Sequence, residues 1–532
     1  MTALKSLLSL GFAAATLVST SAMAEVVLHR GNGGEPQTLD QAHTSIDVES
    51  NILKDLYEGL TVYDASGTVT PGVAESWSIS ADGLTYTFKL RAAAKWSNGD
   101  PVTADDFVYS FRRIEDPKTA AGYADILYPI KNAEAINAPK EAKALAPDQL
   151  GMRAVDDKTL EITLERPTPY FIQLLAHQTA LPVHKATVEK FGSDFVKPGN
   201  LVSDGAYMLA ENVANDHITL AKNPSYYGAA SVKIDKVIFY PTEDQAAAIR
   251  RFQAGELDLQ YQFPADQTEF LRKQLGAASV HVAPNLATYY YVFDMRHPPF
   301  DDVRVRRALS MAIDRDFLAG KIYAGAQLPA YSFVPPGIAG YTPAPADFAS
   351  LSQLDREDAA AKLLGEAGYG KGGKPLKIDI RYNTNANHEK VATAVADNWK
   401  GLGAQVTLTN EDVKSHYAFL QEGGTFDVAR CGWTADYADA ENFLALSLST
   451  NKTFDYAHYH SPAFDDLMTR SYGERDPAAR AKIMHDAEAL LMQDQPIAPL
   501  MVSASLWLVA PKVKGFVDNA VNDHLTRYMS LE

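Results

Sequence analysis

Residues 376–410, LKIDIRYNTNANHEKVATAVADNWKGLGAQVTLTN, decide the fold class of this chain. Apolar and polar residues alternate over 376–382 and again over 405–410, so each stretch predicts a half-buried strand. The intervening residues 390–402 have the spacing of a helix. A strand, a helix and a strand in this order predict a parallel pair joined by a right-handed crossover. The chain is therefore expected to be an α/β protein.

Strand and helix patterns continue to alternate on both sides of this unit, without a repeat. Strands are predicted over 26–30, 84–90, 160–164, 234–240 and 257–261, and helices over 47–60, 107–113, 245–255, 303–313, 356–367 and 477–494. The chain has 532 residues, which is more than one hydrophobic core usually supports. We therefore expect two or three domains with mixed sheets.

The N-terminus has the pattern of a secretory signal peptide. Lys5 supplies a positive charge, residues 7–18 are apolar, and the tripeptide AMA at 22–24 is a small-x-small cleavage site. We expect residues 1–24 to be removed and the mature chain to be exported. The residue directly after the cleavage site is Glu25 and not a cysteine, so no lipid anchor is expected.

Charge and cysteine content exclude several classes of function. The formal charge of −17 becomes −18 when Lys5 leaves with the signal peptide, and so acidic a chain is poorly suited to nucleic acid or anionic membranes. Cys431 is the only cysteine, so no intrachain disulfide or cysteine-based metal cluster can form. It is expected to be a buried small residue rather than a nucleophile.

No G-x-S-x-G or H-E-x-x-H motif occurs, so neither a catalytic site, a metal nor a cofactor is expected.

A second segment, 424–437 (GTFDVARCGWTADY), carries two opposite charges in an apolar, β-prone run. Arg430 and Asp436 lie six residues apart, with Trp433 between them. Charges inside such a run are costly unless something neutralises them. Two interpretations are open: the charges have partners within the protein, or they bind a ligand with a positive and a negative end, such as a free peptide.

Five motifs occur in a characteristic order along the mature chain. They are DLYEG at 55–59, PGVAESW at 71–77, KWSNGDPVTADDF at 95–107, PPF at 298–300 and GTFDVARCGWTADY at 424–437. Together they resemble the family 5 extracellular solute-binding proteins, the peptide- and nickel-type receptors of ABC importers. The last motif is similar to that of the oligopeptide-binding branch.

The resemblance implies a two-lobed periplasmic binding protein fold of type II with an extra inserted domain, three domains in total. It implies a monomer in the periplasm that binds a short peptide, delivers it to an inner-membrane ABC permease with its ATPase subunits, and catalyses no reaction. Hinge positions are expected near Asn285 and 496–499. The implied boundaries are 25–57, 185–286 and 501–532 for domain I, 58–184 for domain II, and 287–500 for domain III.

The resemblance also implies how a peptide is held between domains I and III. The ligand would add as a strand between 432–434 and 45–47. Asp436 would accept its α-ammonium in a charge-assisted hydrogen bond, and Trp433 would line a side-chain pocket. The implied peptide-binding residues are Ser45, Asp47, Tyr123, His388, Arg430, Gly432, Trp433, Thr434 and Asp436.

Recognition of the ligand's carboxyl end departs from the family pattern. Arg430 and His388 match family positions for that end. Gln421, however, stands in place of an arginine, Tyr323 in place of a lysine, and Ser45 in place of an acid. We expect strict recognition of the ligand's amino end and loose recognition of its carboxyl end.

Two other interpretations were weighed beside the peptide receptor. One is a receptor for murein-derived or otherwise modified peptides. The other is a secreted α/β hydrolase, against which the missing nucleophile and metal motifs argue.

Overall fold

The computed structural model describes residues 25–44, 47–137, 145–242, 244–411, 413–451 and 454–532. The expected signal peptide, residues 1–24, lies outside these ranges. Within them, strands and helices alternate as the α/β prediction requires.

The strands of the described residues are β1 (Val27–Gly31), β2 (Thr61–Tyr63), β3 (Val69–Pro71), β4 (Ala74–Ile79), β5 (Thr85–Leu90), β6 (Met152–Asp156), β7 (Thr159–Thr163), β8 (Tyr207–Val213), β9 (His217–Lys222), β10 (Lys236–Tyr240), β11 (Leu259–Tyr261), β12 (Val280–Phe293), β13 (Gln327–Pro329), β14 (Leu376–Asn383), β15 (Ala404–Glu411), β16 (Val428–Thr434), β17 (Ile497–Val509), β18 (Val513–Lys514) and β19 (Ser530–Leu531).

The α-helices of the same ranges are α1 (Asp47–Leu56), α2 (Ala104–Glu115), α3 (Ala133–Asn137), α4 (Phe171–Leu174), α5 (Lys185–Phe191), α6 (Gln245–Gln253), α7 (Thr268–Leu275), α8 (Val303–Ala312), α9 (Arg315–Phe317), α10 (Gln353–Glu366), α11 (Ala386–Gly401), α12 (Val413–Gln421), α13 (Glu441–Leu444), α14 (Pro462–Gly473) and α15 (Pro477–Asp494). Among the helices so described, none is both long and apolar enough to cross a membrane.

One mixed sheet of eleven strands organises the molecule. Its order is β15-β14-β16-β12-β17-β11-β1-β10-β9-β8, with β13 paired to β17. The unit β14-α11-β15 confirms the predicted parallel pair, because β14 and β15 pair in parallel from Leu376 opposite Ala404 to Asn383 opposite Glu411. A separate antiparallel sheet has the order β4-β5-β7-β6.

Most predicted elements lie where their patterns place them, and one ends early. The helix predicted over 477–494 has those bounds. The helix predicted over 47–60 instead ends at Leu56. The backbone N–H of Glu58 donates to the carboxylate of Asp204 at 3.0 Å, so it leaves the helical hydrogen-bond pattern.

Buried apolar side chains form two large cores, which divide the molecule into two lobes. One core lies within residues 286–501 and includes Ala520; we call this part the central lobe. The other lies within residues 28–261 and is completed by 507–529; we call this part the N-terminal lobe. The sheet β4-β5-β7-β6 packs on the second core, so the segment 58–184 shares its apolar interior with the N-terminal lobe.

The two long strands β12 and β17 pass from one lobe to the other, and their pairing is broken at the boundary. Pro284 lies opposite Ala504 and Thr288 opposite Val502, so three residues of β12 face one residue of β17. Such a bulge interrupts the ladder and bends the strand. The expected joint near Asn285 falls within this break.

Candidate functional site

Strand β16 has a free edge at the boundary between the lobes. Along one edge it pairs with β12, from Val428 opposite Phe293 to Thr434 opposite Ala287. Along the other edge it pairs with β14 only at Val428 and Ala429. In the described part of the chain, the remaining residues of β16 have no strand on that edge. An unpaired edge of this kind is a template for an added extended chain.

Successive side chains of β16 alternate between the core and the cleft. Cys431 is fully buried, and burial raises the pKa of its thiol to about 12. The expectation of a buried, unreactive cysteine is thus confirmed. Arg430 and Gly432, on the opposite face, are only partly buried, which leaves them able to contact a molecule in the cleft.

Arg430 is held by neutral groups. Its guanidinium donates to the Tyr417 hydroxyl at 2.9 Å and to Asn383 Oδ1 at 3.2 Å. It also lies 4.6 Å from the ring centroid of Tyr289, a cation–π contact. Its Nε is buried without a hydrogen-bond partner. No carboxylate of the described residues forms an ion pair with Arg430, so an internal counter-ion is not found there.

A cavity of about 370 Å³ opens in front of this arginine. We call it the arginine pocket and define it by Arg430, Tyr289, Tyr323, His388, Gly432 and Trp433, which line it. Thr434 also borders it, so the pocket brings together five of the residues predicted from sequence: His388, Arg430, Gly432, Trp433 and Thr434.

His388 contributes an uncharged ring to the arginine pocket. Burial, with the nearby Arg430 and His416, lowers the pKa of His388 to about 3. Its ring packs edge-on against Tyr289 at 5.4 Å, and its Nδ1 is buried without a partner. At neutral pH the ring therefore offers hydrogen-bonding capacity but no positive charge.

Glycine at position 432 leaves room for the guanidinium. A Cβ added at Gly432 would lie 3.1 Å from Nη2 of Arg430. That separation is tighter than ordinary packing, so the guanidinium would have to shift by a few tenths of an ångström. The Gly432 position is thus part of the pocket's shape as well as of the free strand edge.

Asp436 lies just beyond the end of β16, among polar groups rather than cations. Its backbone N–H donates to Asn442 Oδ1 at 3.2 Å. Burial raises the pKa of the Asp436 carboxyl, the Asn442 amide opposes that shift through a hydrogen bond, and Asp125 adds to it. Among the residues that the structure describes, no cation forms an ion pair with Asp436.

Tyr123 of the N-terminal lobe lies near Asp436 on one side and near Asp47 on the other. Tyr123 precedes a short turn at 124–127, and its ring lies 5.4 Å from that of His177. Burial raises the pKa of Tyr123, and the carboxylates of Asp436, Asp125 and Asp47 raise it further. These groups therefore share one negative region.

Asp47 begins α1 and accepts a hydrogen bond from the Tyr261 hydroxyl at 2.8 Å. We call Asp436, Tyr123 and Asp47 the acidic end of the site. Ser45, also predicted from sequence, lies outside the described residues.

Sequence reasoning missed several residues that shape the site. Tyr289 and Tyr417 surround Arg430, and Asn442 bonds to both Trp433 and Asp436. The run of three tyrosines at 289–291 in a β-prone stretch was a usable signal for the first of these. No local pattern marks Tyr417 or Asn442. The described residues contain no group of three His, Cys, Asp or Glu side chains arranged for a metal ion.

The chain is similar to known proteins along almost its whole length. The periplasmic oligopeptide-binding protein OppA of Escherichia coli (strain K12) is 41% identical over 525 residues, covering 96% of this chain and 95% of OppA. The periplasmic murein peptide-binding protein MppA of the same organism is 40% identical over 523 residues, covering 98% of this chain and 96% of MppA.

A solved structure agrees in fold and in the placement of the lobes. MppA, described as a periplasmic murein tripeptide-binding protein in its unliganded open form, matches with a TM-score of 0.90 and 39% identity. The match covers 96% of this chain and 98% of that one. The predicted two-lobed periplasmic binding protein fold of type II is confirmed, and the lobes lie as in that open form.

The family model described as bacterial extracellular solute-binding proteins, family 5 Middle, matches residues 68–455. That range includes the free edge of β16, the arginine pocket and Asp436. The resemblance read from the sequence motifs is confirmed. The chain belongs to family 5 of the bacterial extracellular solute-binding proteins.

Proposed function

We propose that this protein is a periplasmic receptor that captures short peptides between its two lobes and delivers them to an inner-membrane ABC permease. The observation that carries the proposal is the pair of uncompensated opposite charges beside one free strand edge. Arg430 lies on β16 and Asp436 just beyond it, and neither has an ionic partner in the described residues. A free peptide supplies one ammonium, one carboxylate and a backbone between them.

The free edge of β16 binds the peptide backbone as an added strand. Backbone groups are common to all peptides, so this mode holds ligands of many sequences. Gly432, Trp433 and Thr434 provide this edge, and the N-terminal lobe closes over the ligand from the side of Asp47. Closure buries the ligand and couples its binding to the position of the lobes.

The acidic end accepts the ligand's α-ammonium. Asp436 is half-buried and has a raised pKa because burial disfavours its charge. An ammonium removes this penalty and forms a charge-assisted hydrogen bond. Tyr123 and Asp47 complete this end when the lobes close.

The arginine pocket accepts the carboxyl end. Arg430 is its charged group, while Tyr289, Tyr323 and the neutral His388 add hydrogen-bonding capacity without a second cation. Gln421, where an arginine was expected, instead hydrogen-bonds to Tyr456. The presence of a single arginine supports the proposal that the ligand's carboxyl end is recognised less strictly than its amino end.

A second candidate ligand is a murein-derived peptide. The observation in its favour is the likeness to MppA, whose unliganded open form matches this structure. Such a peptide carries an additional ammonium and carboxylate on one side chain. The site would bind it through the same two ends.

We propose the domain division expected from sequence: domain I (25–57, 185–286 and 501–532), domain II (58–184) and domain III (287–500). The extent of the central-lobe core, from Leu286 to Met501, supports the last of these. The register break in β12 supports a hinge near Asn285. The receptor acts as a monomer without cofactor or catalysis, and reaches the periplasm through a cleaved signal peptide without a lipid anchor.

Thermal denaturation of the purified protein tests the proposal. Di- to pentapeptides with free termini, and a murein tripeptide, are compared with a sugar and a metal chelate. We expect the melting temperature to rise with peptides, because a ligand of the folded state stabilises it. A rise with the sugar or chelate and none with any peptide would overturn the proposal. Release of new amino groups from the peptide pool would indicate a hydrolase instead.

A further inference from the structure

A single asparagine connects Trp433 of the arginine pocket with Asp436 of the acidic end. Asn442 Oδ1 accepts from the Trp433 indole N–H at 2.8 Å and from the Asp436 backbone N–H at 3.2 Å. Asn442 also lowers the pKa of the Asp436 carboxyl, against the effect of burial. Asn442 is only 6% exposed, so water does not readily replace these contacts. Trp433 and Asp436 therefore share one anchor.

The short helix that carries this asparagine is held from both lobes. Glu441, the neighbouring residue on α13, accepts from the hydroxyls of Tyr437 at 2.5 Å and Tyr472 at 2.8 Å. The ring of Tyr437 stacks on Tyr170 of the N-terminal lobe, with centroids 4.7 Å apart and planes within 5°. Tyr437 directly follows Asp436, so this stack fixes the turn that bears the carboxylate.

The far end of the turn is also fixed. Asp439 and Arg480 form a buried two-point ion pair at 2.7 and 2.9 Å. The Asp439 carboxylate also accepts from the Glu441 backbone N–H at 2.9 Å. The turn between Trp433 and Asn442 is thereby restrained at its start, its middle and its end, in a structure whose lobes are open.

We propose that Asn442 and Tyr170 are positioning residues that hold Trp433 and Asp436 ready for the peptide's amino end before the lobes close. This inference rests on the proposed function. Its physical basis is preorganisation: groups already ordered in the free protein lose less freedom on binding. The amino end then binds first, and closure of the N-terminal lobe follows.

Substitution of Asn442 tests the first residue. Asn442→Ala leaves the Trp433 indole and the Asp436 N–H without their acceptor. We expect a tripeptide with a free amino terminus to bind about ten- to a hundredfold more weakly, and its N-acetylated form to change less. Asn442→Ser, which places a shorter hydrogen-bonding hydroxyl at the position, restores part of the loss. Isothermal titration calorimetry measures all six combinations of the wild type and the two variants with the two ligands.

A pH profile separates positioning from general destabilisation. Asp125 and Tyr123 face Asp436 from the N-terminal lobe, and Asn442 opposes their effect from its own lobe. Without Asn442 the pKa of Asp436 rises further, so affinity falls at a higher pH than in the wild type. The control Asn223→Ala removes another fully buried asparagine, which bonds to Gly205 and Ser225 in the N-terminal lobe. We expect Asn223→Ala to lower the melting temperature without changing the pH dependence of peptide affinity.

Substitution of Tyr170 tests the contact between lobes. Tyr170→Ala removes the stack, and we expect the association rate for a free tripeptide, followed by tryptophan fluorescence, to fall about tenfold. Tyr170→Phe keeps the ring and restores the rate to within about threefold. A lower melting temperature with unchanged association rates would show that Tyr170 only supports the fold.

The outcomes distinguish this inference from the proposed function. If the wild-type protein binds free and N-acetylated tripeptides equally, the assignment of the acidic end falls. If the wild type discriminates between them and Asn442→Ala and Asn442→Ser discriminate equally well, the positioning role falls and the proposed function stands.

Discussion

The arginine pocket and the acidic end are built in different ways. Arg430 and its partners Tyr289, Asn383 and Tyr417 all belong to the central lobe. The acidic end instead combines Asp436 of the central lobe with residues of the N-terminal lobe. The surroundings of Arg430 therefore come from one lobe, whereas those of Asp436 require both lobes.

Because of this difference, we expect the two ends of the site to contribute differently to ligand affinity and to closure of the lobes. A contact made within one lobe binds the ligand equally in the open and closed forms, so it does not shift the balance between them. A contact completed by the second lobe binds the closed form better. We therefore expect the ligand's amino end to drive closure and its carboxyl end to add affinity without driving it.

The strongest test removes the charge at the acidic end. Asp436→Asn leaves the ligand ammonium without its anion, so we expect a loss of about 2–5 kcal/mol for peptides with a free amino terminus. N-acetylated peptides should change little. Calorimetry gives the affinities, and small-angle scattering should show that the remaining complex stays open. Equal losses for both ligands would mean that Asp436 only supports the fold.

The matching test at the other end is Arg430→Gln. We expect a loss of about 1.5–3 kcal/mol for peptides with a free carboxylate, because one charge-assisted hydrogen-bonding group is removed. Peptide amides serve as the control ligand and should be affected less. Scattering should still report closure with saturating peptide. A variant that binds normally but no longer closes would reverse the comparison between the two ends.

Acidification should weaken binding through Asp436 rather than through a histidine. Burial and Asp125 raise the pKa of Asp436 in the free protein, and a bound ammonium lowers it again. Affinity is therefore constant well above the raised pKa and falls as pH drops through it, by up to about tenfold per pH unit for one proton.

His388 has a pKa of about 3, so it stays neutral over this range. Calorimetry between neutral and mildly acidic pH measures the profile, and Asp436→Asn should flatten it. A midpoint that survives in Asp436→Asn would assign the dependence to another group.

The smallest expected effect is that of Tyr417→Phe. It removes the 2.9 Å hydrogen bond to the Arg430 guanidinium and keeps the ring. We expect a loss of about 0.5–1.5 kcal/mol in affinity for peptides with a free carboxylate and none for their amides. Calorimetry with both ligands measures it. A loss with the amides as well would show that Tyr417 shapes the cavity rather than the charge.

The sequence predicted more of the fold than of the site. The β14-α11-β15 unit followed from periodicity, and the bounds of α15 matched the pattern over 477–494. The extent of α1 did not, because its end depends on Asp204, which lies far along the chain. The interior of a helix or strand depends on neighbouring residues in the sequence, whereas its ends also depend on residues far along the chain.

The same distinction applies to the site. The charged pair Arg430 and Asp436 was visible in the sequence, and so was the cost of burying it. Whether the pair had internal partners was not, and both interpretations stayed open. Asn442 is close to Asp436 in sequence, yet only the path of the turn brings its side chain to both Trp433 and Asp436.

The sequence by itself determined the class and the family, and it predicted the segment that would bind a ligand's charged ends. Those follow from residue spacing and from motifs, which are read along the chain. Only the tertiary structure decided that Arg430 has neutral partners 13 and 47 residues away and that Asp436 faces the other lobe. The physical reason is that a charge's environment is set by strand register and lobe packing, which bring together residues with no relation in the sequence.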